Sequence, residues 1–289
     1  MRKTFTHVGI LGKPSNPEVQ STLTSLIEFI KSQGVKLCVE SGFEPLLTQE
    51  ETSVSQELLG KNCDLIIVVG GDGSFLNAAR SVVDWEKPVV GINRGRLGFL
   101  ADISPQAFKQ YLLPILKGDY QAESRFLLEM SLIRQEKVLH QSSALNDVVL
   151  YSGDIARMIE FEVKVNDQFV YRQRSDGLVT ATPTGSTAYA LSGGGPILHP
   201  ALNAIVLVPL NAHTLSSRPI VLDSQDKIEL RVTSDNAMHP RVSCDGQIHF
   251  NVKPDDRIVI RRKTKTLTIL HPKEYDYYHT LRTKLNWST

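Results

Sequence analysis

Over its first 120 or so residues the chain alternates between short apolar runs and stretches whose apolar residues fall three and four apart. HVGILGK (7–13) has the run length of a buried strand. Residues 17–33 follow with Val19, Leu23, Leu26, Ile27 and Ile30 at helical spacing, and Gly34 is placed to end that helix. The same reading makes VKLCVE (35–40) a second strand, TSVSQELLG (52–60) a short helix and LIIVVG (65–70) a third strand. SFLNAARSVV (74–83) is then a helix and PVVGIN (88–93) a fourth strand. SPQAFKQYLLPILKG (104–118) reads as a helix capped by Ser104, with proline in its first turn. Strands alternating with helices predict a parallel sheet covered on both faces, whose binding sites lie beyond the carboxyl ends of its strands. The glycine turn at residue 70 and the loop NRGRLGFL (93–100) both fall at that edge.

Beyond residue 120 the texture changes. FLLEMSLIR, ALNDVVLYS, the long segment 156–182, AIVLVPL, RPIVL, KIELRVT, PRVSCDGQIHF and DRIVIRRKTKTLTIL are strand-like, with turn residues between them. One helical candidate survives, Ser186–Ser192. This predicts a mainly β domain of two packed sheets. The tail from His271 to Thr289 returns to helical spacing through Tyr275, Tyr278, Leu281 and Leu285. The expected organisation is an α/β domain over 1–122, a β-rich domain over 123–270, and a tail over 271–289 packing back on the first.

Composition narrows the class rather than the function. A chain of 289 residues exceeds what one compact core usually holds, which supports the two-domain reading. The net charge of +1 gives no sign of a nucleic-acid or membrane partner, and the basic run RRKTK (261–265) reads as a solvated hairpin. Three scattered cysteines without a CxxC pair argue against a disulfide framework or a zinc site and fit a reducing cytoplasm. The opening MRKTFTHVGILGKP lacks the apolar core of a signal peptide, and no apolar run approaches the roughly 20 residues of a membrane span.

The chemistry concentrates in three places. In Gly70-Gly71-Asp72-Gly73 a strand runs into a glycine turn and a helix, an arrangement that suits a phosphate. Asp72 sits where a phosphate would repel it. Either it caps the following helix, or it handles a hydroxyl about to attack a phosphate or holds a bridging magnesium ion. A Rossmann fingerprint lacks its third glycine here, and no GK[ST] makes a Walker A loop. The second place is TPTGSTAYALSGGGPI (182–197), where hydroxyls and glycines open a short helix beside three glycines and a proline. That is an exposed loop or a backbone held close to a ligand. The third is Asn146-Asp147, at a strand start where side chains can project into a cleft, although a surface turn remains open. Asn166-Asp167 is the contrast: flanked by alternating residues, it reads as a hairpin turn. Arg174 and Asp176, in RQRSDG, and Asp245 and Gln247, in SCDGQI, are weaker candidates, because strand-edge charges and DG turns are common. No HExxH or paired histidine spacing marks a structural metal, and no GxSxG marks a serine hydrolase.

In order, GGDGSFL (70–76), NRGRLGFL, LNDVVL (145–150), RQRSDG, TPTGSTAYALSGGGPI, SCDGQI and the tail HPKEYDYYHTLRTKLNW resemble the NAD kinase family over nearly the whole chain. GGDG alone is shared with 6-phosphofructokinases and diacylglycerol kinases; its combination with NxGxLGFL, ND and TPTGSTAY is far more specific. The resemblance implies an α/β domain followed by a β-rich domain, with the dinucleotide held between them. It implies transfer of a phosphoryl group from ATP, or polyphosphate in some members, to the adenosine 2′-hydroxyl of NAD, with a divalent ion such as magnesium accompanying ATP rather than a fixed protein metal site. Asp72 would then accept the hydroxyl proton with Gly73 beside it, and Gly70 and Gly71 would cradle phosphate. Asn146 and Asp147 would contact the adenosine, and Thr187, Ala188, Tyr189 and Ser192 the adenine and flanking groups. Arg157, Arg174, Asp176 and Gln247 would complete the pocket. Ser74 stands where the family often has threonine, keeping the hydroxyl. Arg174 resembles the form of bacterial members that prefer NAD to NADH. A cytoplasmic homo-oligomer, tetramer or dimer, is also implied. The readings from other classes are a GGDG kinase acting on a lipid or sugar phosphate, and a dinucleotide sensor without catalysis.

Overall fold

A computed structural model describes residues 4–13, 17–47, 52–94, 98–153, 158–233 and 240–287. Arg157 and positions 95–97 of NRGRLGFL lie outside the described residues. The chain divides into two compact units, Met1–Ser124 with Leu267–Thr289, and Arg125–Thr266.

In the first unit the elements are β1 (His7–Gly12), α1 (Pro17–Ser32), β2 (Lys36–Glu40), β3 (Thr52–Val54), α2 (Gln56–Asn62), β4 (Leu65–Gly70), α3 (Asp72–Val82), β5 (Val89–Asn93) and α4 (Phe108–Leu116). The strands form a parallel sheet in the order β5-β4-β1-β2-β3. Every residue of β4 and β5 is buried, as strands covered on both faces require. Val8, Ile10, Leu37, Val39, Leu65, Ile67 and Val69 pack in one core with Val19, Leu23, Leu26, Ile27 and Ile30 of α1 and Phe108, Leu112 and Ile115 of α4. Strand order reverses between β1 and β4, so the crevice at their carboxyl ends is where this architecture places a ligand. β4 ends there, at Gly70, one residue before the turn that opens α3.

Four local expectations shift. Thr52–Val54 is not helical but an edge strand paired with β2, and Ser55 caps α2 by accepting from the Leu58 N–H. Ser104 does not cap α4: its carbonyl accepts from Ala107 in a turn of its own, so the helix begins only at Phe108. The tail stays extended to His271, the end of β17 (Arg257–His271), because Leu267, Ile269, Leu270 and His271 are buried there. β17 lies parallel to β5 at Ile269–Val89, and α6 (Tyr277–Leu285) starts after Asp276, whose carboxylate accepts from the Tyr278 N–H at 2.8 Å. The RRKTK run is interior to β17 and forms no hairpin.

The second unit takes β6 (Gln121–Arg134), β7 (Lys137–Ala144), β8 (Asp147–Tyr151), β9 (Ile159–Val165), β10 (Gln168–Ser175), β11 (Gly177–Ala181), the single turn α5 (Tyr189–Ser192), β12 (Ala204–Leu210), β13 (Ile220–Asp223), β14 (Ile228–Val232), β15 (Arg241–Cys244), β16 (Ile248–Asn251) and most of β17. One antiparallel sheet runs β13-β12-β11-β8-β15-β16; the other pairs β10-β9-β14-β17, with β6 beside β17 and β7. Val148, Leu150, Leu178, Leu207 and Val242 of the first face Phe161, Val163, Leu230 and Ile258 of the second in a shared core. This is the mainly β domain of two packed sheets that the alternating strands predict. Because the side-chain period is two, Asp147, Val149 and Tyr151 point to the opposite face of β8. There Val149, Val179, Val206 and Val208 meet Ala190 and Leu198 in a smaller cluster under the 182–198 segment. Asn166 and Asp167 take left-handed φ of 50° and 66° between β9 and β10, the hairpin turn their flanks predict.

Candidate active site

Asp72 stands at the first position of α3, but the residue capping that helix is Gly71, and no side-chain cap is made. The capping reading of Asp72 is therefore wrong. Its carboxylate instead reaches across to the turn after NRGRL: Oδ2 accepts from the Phe99 N–H at 2.9 Å, and Oδ1 from Leu100 and Ala101 at 3.1 and 3.3 Å. The turn is pressed down to receive it. The Asn93 N–H donates to the Ile103 carbonyl at 2.8 Å and the Ile103 N–H to the Gly91 carbonyl at 3.3 Å, and a Cβ on Gly91 would come within 2.6 Å of the Ala101 Cα. A Cβ on Gly98 would lie 1.9 Å from Asp72 Oδ1, which explains why the second glycine of NRGRLGFL is glycine. A carboxylate offers about four lone-pair directions, so three N–H donors leave about one for a substrate hydroxyl.

The turn is anchored from behind. Asp102 accepts at 2.8 Å from Nδ1 of His271, whose Nε2 faces Glu123 at 3.4 Å and whose ring stacks on Tyr275 at 3.8 Å. Burial pulls the His271 pKa down, yet the two facing carboxylates outweigh it and raise it above the ordinary value. Each ring nitrogen thus faces a carboxylate.

The glycines of GGDG divide. Gly70 is buried and its missing Cβ makes room for Ser74, whose Oγ would lie 2.5 Å away; its role is packing within the turn. Gly71 has open space where a Cβ would be, and Gly73 is exposed. Those two are the positions a phosphate or ribose can approach.

In the second unit, a cavity of about 460 Å³ opens over the outer face of β8 and β15. Asn146, Asp147, Tyr151, Tyr189, Asp245 and His249 line it, with Val149, Ala188, Ser243 and Gly246. The Asn146-Asp147 backbone is clamped from two sides. Asp245 accepts from the N–H groups of Leu145, Asn146 and Asp147 at 3.1, 2.7 and 3.3 Å. On the other side Thr182 donates its hydroxyl to the Leu145 carbonyl at 2.6 Å and its N–H to the Asn146 carbonyl at 2.9 Å. Gly185 lies so close that a Cβ would be 2.1 Å from the Asn146 oxygen. Asp147 is 4% exposed, and burial followed by the neighbouring Asp245 charge pushes its pKa up to about 7.

The hydroxyl-rich segment differs from its expected helix. Residues 185–187 form a tight turn and α5 is one turn long. Ser186 spends its hydroxyl on the Pro183 and Leu198 main chain, and Thr187 donates to Thr184 O at 3.2 Å. These groups shape the segment, leaving Ala188 and the half-exposed Tyr189 as its contribution to the cavity wall.

Two family descriptions match the chain: "ATP-NAD kinase N-terminal domain" over residues 8–120 and "ATP-NAD kinase C-terminal domain" over 145–271. The chain belongs to the NAD kinase family. Among curated members, the NAD kinase of Chromohalobacter salexigens is 49% identical over 286 residues, 99% of this chain and 98% of its own length. That of Saccharophagus degradans is 48% identical, covering 99% and 97%. Among solved structures, an NAD kinase from Archaeoglobus fulgidus in complex with ATP superposes with a TM-score of 0.77 at 26% identity, covering 98% of this chain and all of that one. Yeast NADH kinase complexed with NADH superposes with a TM-score of 0.89 at 23% identity over 99% of this chain and 89% of that one, a likeness of fold.

Within this NAD kinase fold the expected residues fall into groups. Asp72 meets the 98–101 turn at the sheet edge, with Gly73 exposed beside it. Asn146, Asp147, Ala188 and Tyr189 line one cavity. Arg174 is exposed on β10, and Asp176 accepts at 2.7 Å from the Asn211 amide. Gln247 is exposed beside the Asp245-Gly246 hairpin turn, and Ser192 is exposed at the end of α5. Tyr151, Ser243 and His249 were missed. Period two from Asp147 identifies Tyr151, but Ser243 and His249 enter through strand pairing that spacing does not disclose. Tyr151 Oη and His249 Nδ1 lie 3.1 Å apart.

Proposed function

We propose that the chain is an NAD kinase in activity as well as family, moving the terminal phosphoryl group of ATP to the 2′-hydroxyl of the adenosine ribose of NAD. The observation that carries the reading is the Asp72 carboxylate, fixed by three backbone N–H groups at the carboxyl edge of a parallel sheet and keeping about one free acceptor direction. A loose phosphoryl-transfer transition state needs little covalent help; it needs phosphates in line and a group that orients the attacking hydroxyl and takes its proton late. A held carboxylate does that. The Asn146-Asp147 cavity of the second unit suits an adenosine, with apolar walls at Val149 and Tyr151 and polar edges at Asn146, Asp147 and Ser243. At neutral pH a carboxyl with a pKa of about 7 can both donate to a ring nitrogen and accept from an amine.

The divalent ion, magnesium, is assigned to the ATP phosphates. Three of the Asp72 acceptor directions are taken, and the one compact cluster of potential metal ligands among the described residues is sulfur- and nitrogen-based, unsuited to magnesium. Bound there, the ion would neutralise charge on the transferring phosphoryl group. Preference for NAD over NADH through Arg174, a place for Arg157 in the pocket, a homo-oligomeric state and a cytoplasmic location rest on family resemblance. No helix among the described residues is long and apolar enough to cross a membrane. The test is incubation with NAD, ATP and magnesium, followed by an NADP-specific readout. NADP formation supports the reading; NAD binding without product favours a sensor, and neither result leaves another GGDG kinase.

A further inference from the structure

The three cysteines are far apart in sequence, and two of them meet. Cys38 on β2 and Cys63, which caps the C-terminus of α2, come together with His7 at the start of β1. One ligand atom from each, the two Sγ atoms and an imidazole nitrogen, all lie within 4.8 Å of one another.

The fold explains the convergence. β1 and β2 run parallel with Gly9 opposite Cys38. Side chains two apart share a face, so His7, Gly9 and Cys38 point the same way. Gly9 has no side chain, and Cys63 fills that space: a Cβ on Gly9 would lie 3.2 Å from the Cys63 sulfur and 3.3 Å from Leu59. Asp64 locks the register by donating its N–H to the His7 carbonyl at 2.8 Å. Its carboxylate accepts from the N–H groups of Thr6 and His7 at 3.0 and 3.1 Å. The two sulfurs are buried and His7 is half-buried, so the imidazole side is open to water.

We propose that His7, Cys38 and Cys63 form a binding site for a thiophilic divalent cation of the zinc class, with water as the fourth ligand. Zn–S bonds of about 2.3 Å and Zn–N bonds of about 2.0 Å at a tetrahedral angle put nitrogen and sulfur about 3.5 Å apart. Cys38 Sγ and His7 Nε2 are 3.4 Å apart. Binding replaces two S–H bonds with two metal–sulfur bonds and releases two protons, while neutral His7 coordinates through Nε2. Two thiolates cancel the charge of the ion, leaving a neutral assembly that suits the apolar wall of Leu59 and Ile66. Without metal, burial pushes the Cys63 thiol up to about 12, so it stays protonated until a soft ion displaces the proton. The site ties β1, β2 and the end of α2 together. Its role is to brace the sheet.

The experiment uses the full chain, reduced and stripped with chelator, then titrated with cobalt(II) and with zinc. Expected is one metal per chain, thiolate-to-cobalt charge-transfer absorption with the intense visible bands of a tetrahedral site, loss of both when zinc is added, and a higher Tm with zinc. Cys38→Ser and Cys63→Ser abolish the charge-transfer absorption while still forming NADP, which shows that they fold; Cys244→Ala keeps it. The proposal is overturned if the wild-type chain gives no thiolate–cobalt absorption, or if the absorption survives the Cys38→Ser, Cys63→Ser double variant. Zinc binding that is unchanged in that double variant overturns it equally.

Discussion

Replacing Asp72 with asparagine separates the hold its carboxylate has on the 99–101 backbone from the base role proposed for it. The amide oxygen can take over the two bonds now made by Oδ1, from Leu100 and Ala101, which leaves the amide NH₂ facing the Phe99 N–H across 2.9 Å. One bond is lost and a donor opposes a donor, a cost of about 1–3 kcal/mol in stability. For a chain of this size each kcal/mol lowers Tm by about 2–4 °C, so the variant melts at most about 12 °C early and stays folded at assay temperature. The catalytic loss is larger. Removing a general base slows turnover about 10²–10⁴-fold, which corresponds to about 2.7–5.4 kcal/mol of barrier. The assay is initial-rate NADP formation at saturating NAD and ATP, paired with NAD binding and thermal melting on the same preparation. Expected is near-normal NAD affinity with kcat down by at least two orders of magnitude. A variant that melts early but keeps kcat within about threefold of wild type refutes the base assignment and leaves Asp72 as a staple of the 98–101 turn.

Gly98→Ala tests position without removing charge: its Cβ, 1.9 Å from Oδ1, must displace the carboxylate, so kcat falls while the Asp72 side chain is intact, read in the same rate assay. Gly185→Ala drives a methyl against the Asn146 carbonyl at 2.1 Å and is expected to raise KM for NAD more than it lowers kcat. Asp147 has a folded pKa of about 7 against an unfolded 3.8, so between those values the folded state holds the extra proton and stability falls as pH rises. Melting curves from pH 4 to 8 are therefore expected to show Asp147→Asn gaining on wild type as pH rises, by a few kcal/mol at most; a constant difference rejects the assignment. His271 has linkage of the same sign: its raised folded pKa makes its stabilisation complete below the unfolded value of 6.5 and lost as pH rises through the folded one. His271→Gln is thus expected to cost most at pH 6 and progressively less at alkaline pH.

The sequence disclosed what is local. Helical spacing located α1, glycine and apolar run length located β4 and the turn after it, and alternation located the strands of the β unit. Wherever the deciding interaction is local and competes with the pattern, the reading slipped. Ser104 looked like a cap, yet its own carbonyl closes a turn on Ala107, and the 186–192 segment looked helical, yet Ser186 is spent on Pro183 and Leu198. What remained hidden is long-range. Asp72 was identifiable as chemically unusual, but its partners are backbone N–H groups 27 to 29 residues away, and a backbone donor has no residue type to read. Asp245 was discounted as a DG turn, and it is one, with φ of 52° at Asp245 and 62° at Gly246. The turn is what aims its carboxylate at Leu145–Asp147, so the DG turn and the clamp on that backbone are one feature.

The two carboxylates, Asp72 and Asp245, repeat one device. Each accepts three backbone N–H groups from a distant segment, and in each case a glycine in the arrangement, Gly98 or Gly185, leaves no room for a side chain. A loop held by side-chain amides or hydroxyls could re-pair when its ligand leaves, because those groups rotate; a carboxylate gripping consecutive main-chain donors fixes the backbone itself. For phosphoryl transfer, where rate depends on holding reactants in line, that rigidity is the useful property. It also predicts which lesions are severe. Substitutions that leave a carboxylate but disturb its glycine should cost nearly as much activity as loss of the carboxylate, whereas exposed residues such as Ser192 and Gln247 should tolerate alanine with KM changed less than about tenfold. Comparing Gly98→Ala with Asp72→Asn, and Gly185→Ala with Ser192→Ala, in one NADP-forming assay decides whether backbone fixation or side-chain contact governs this enzyme.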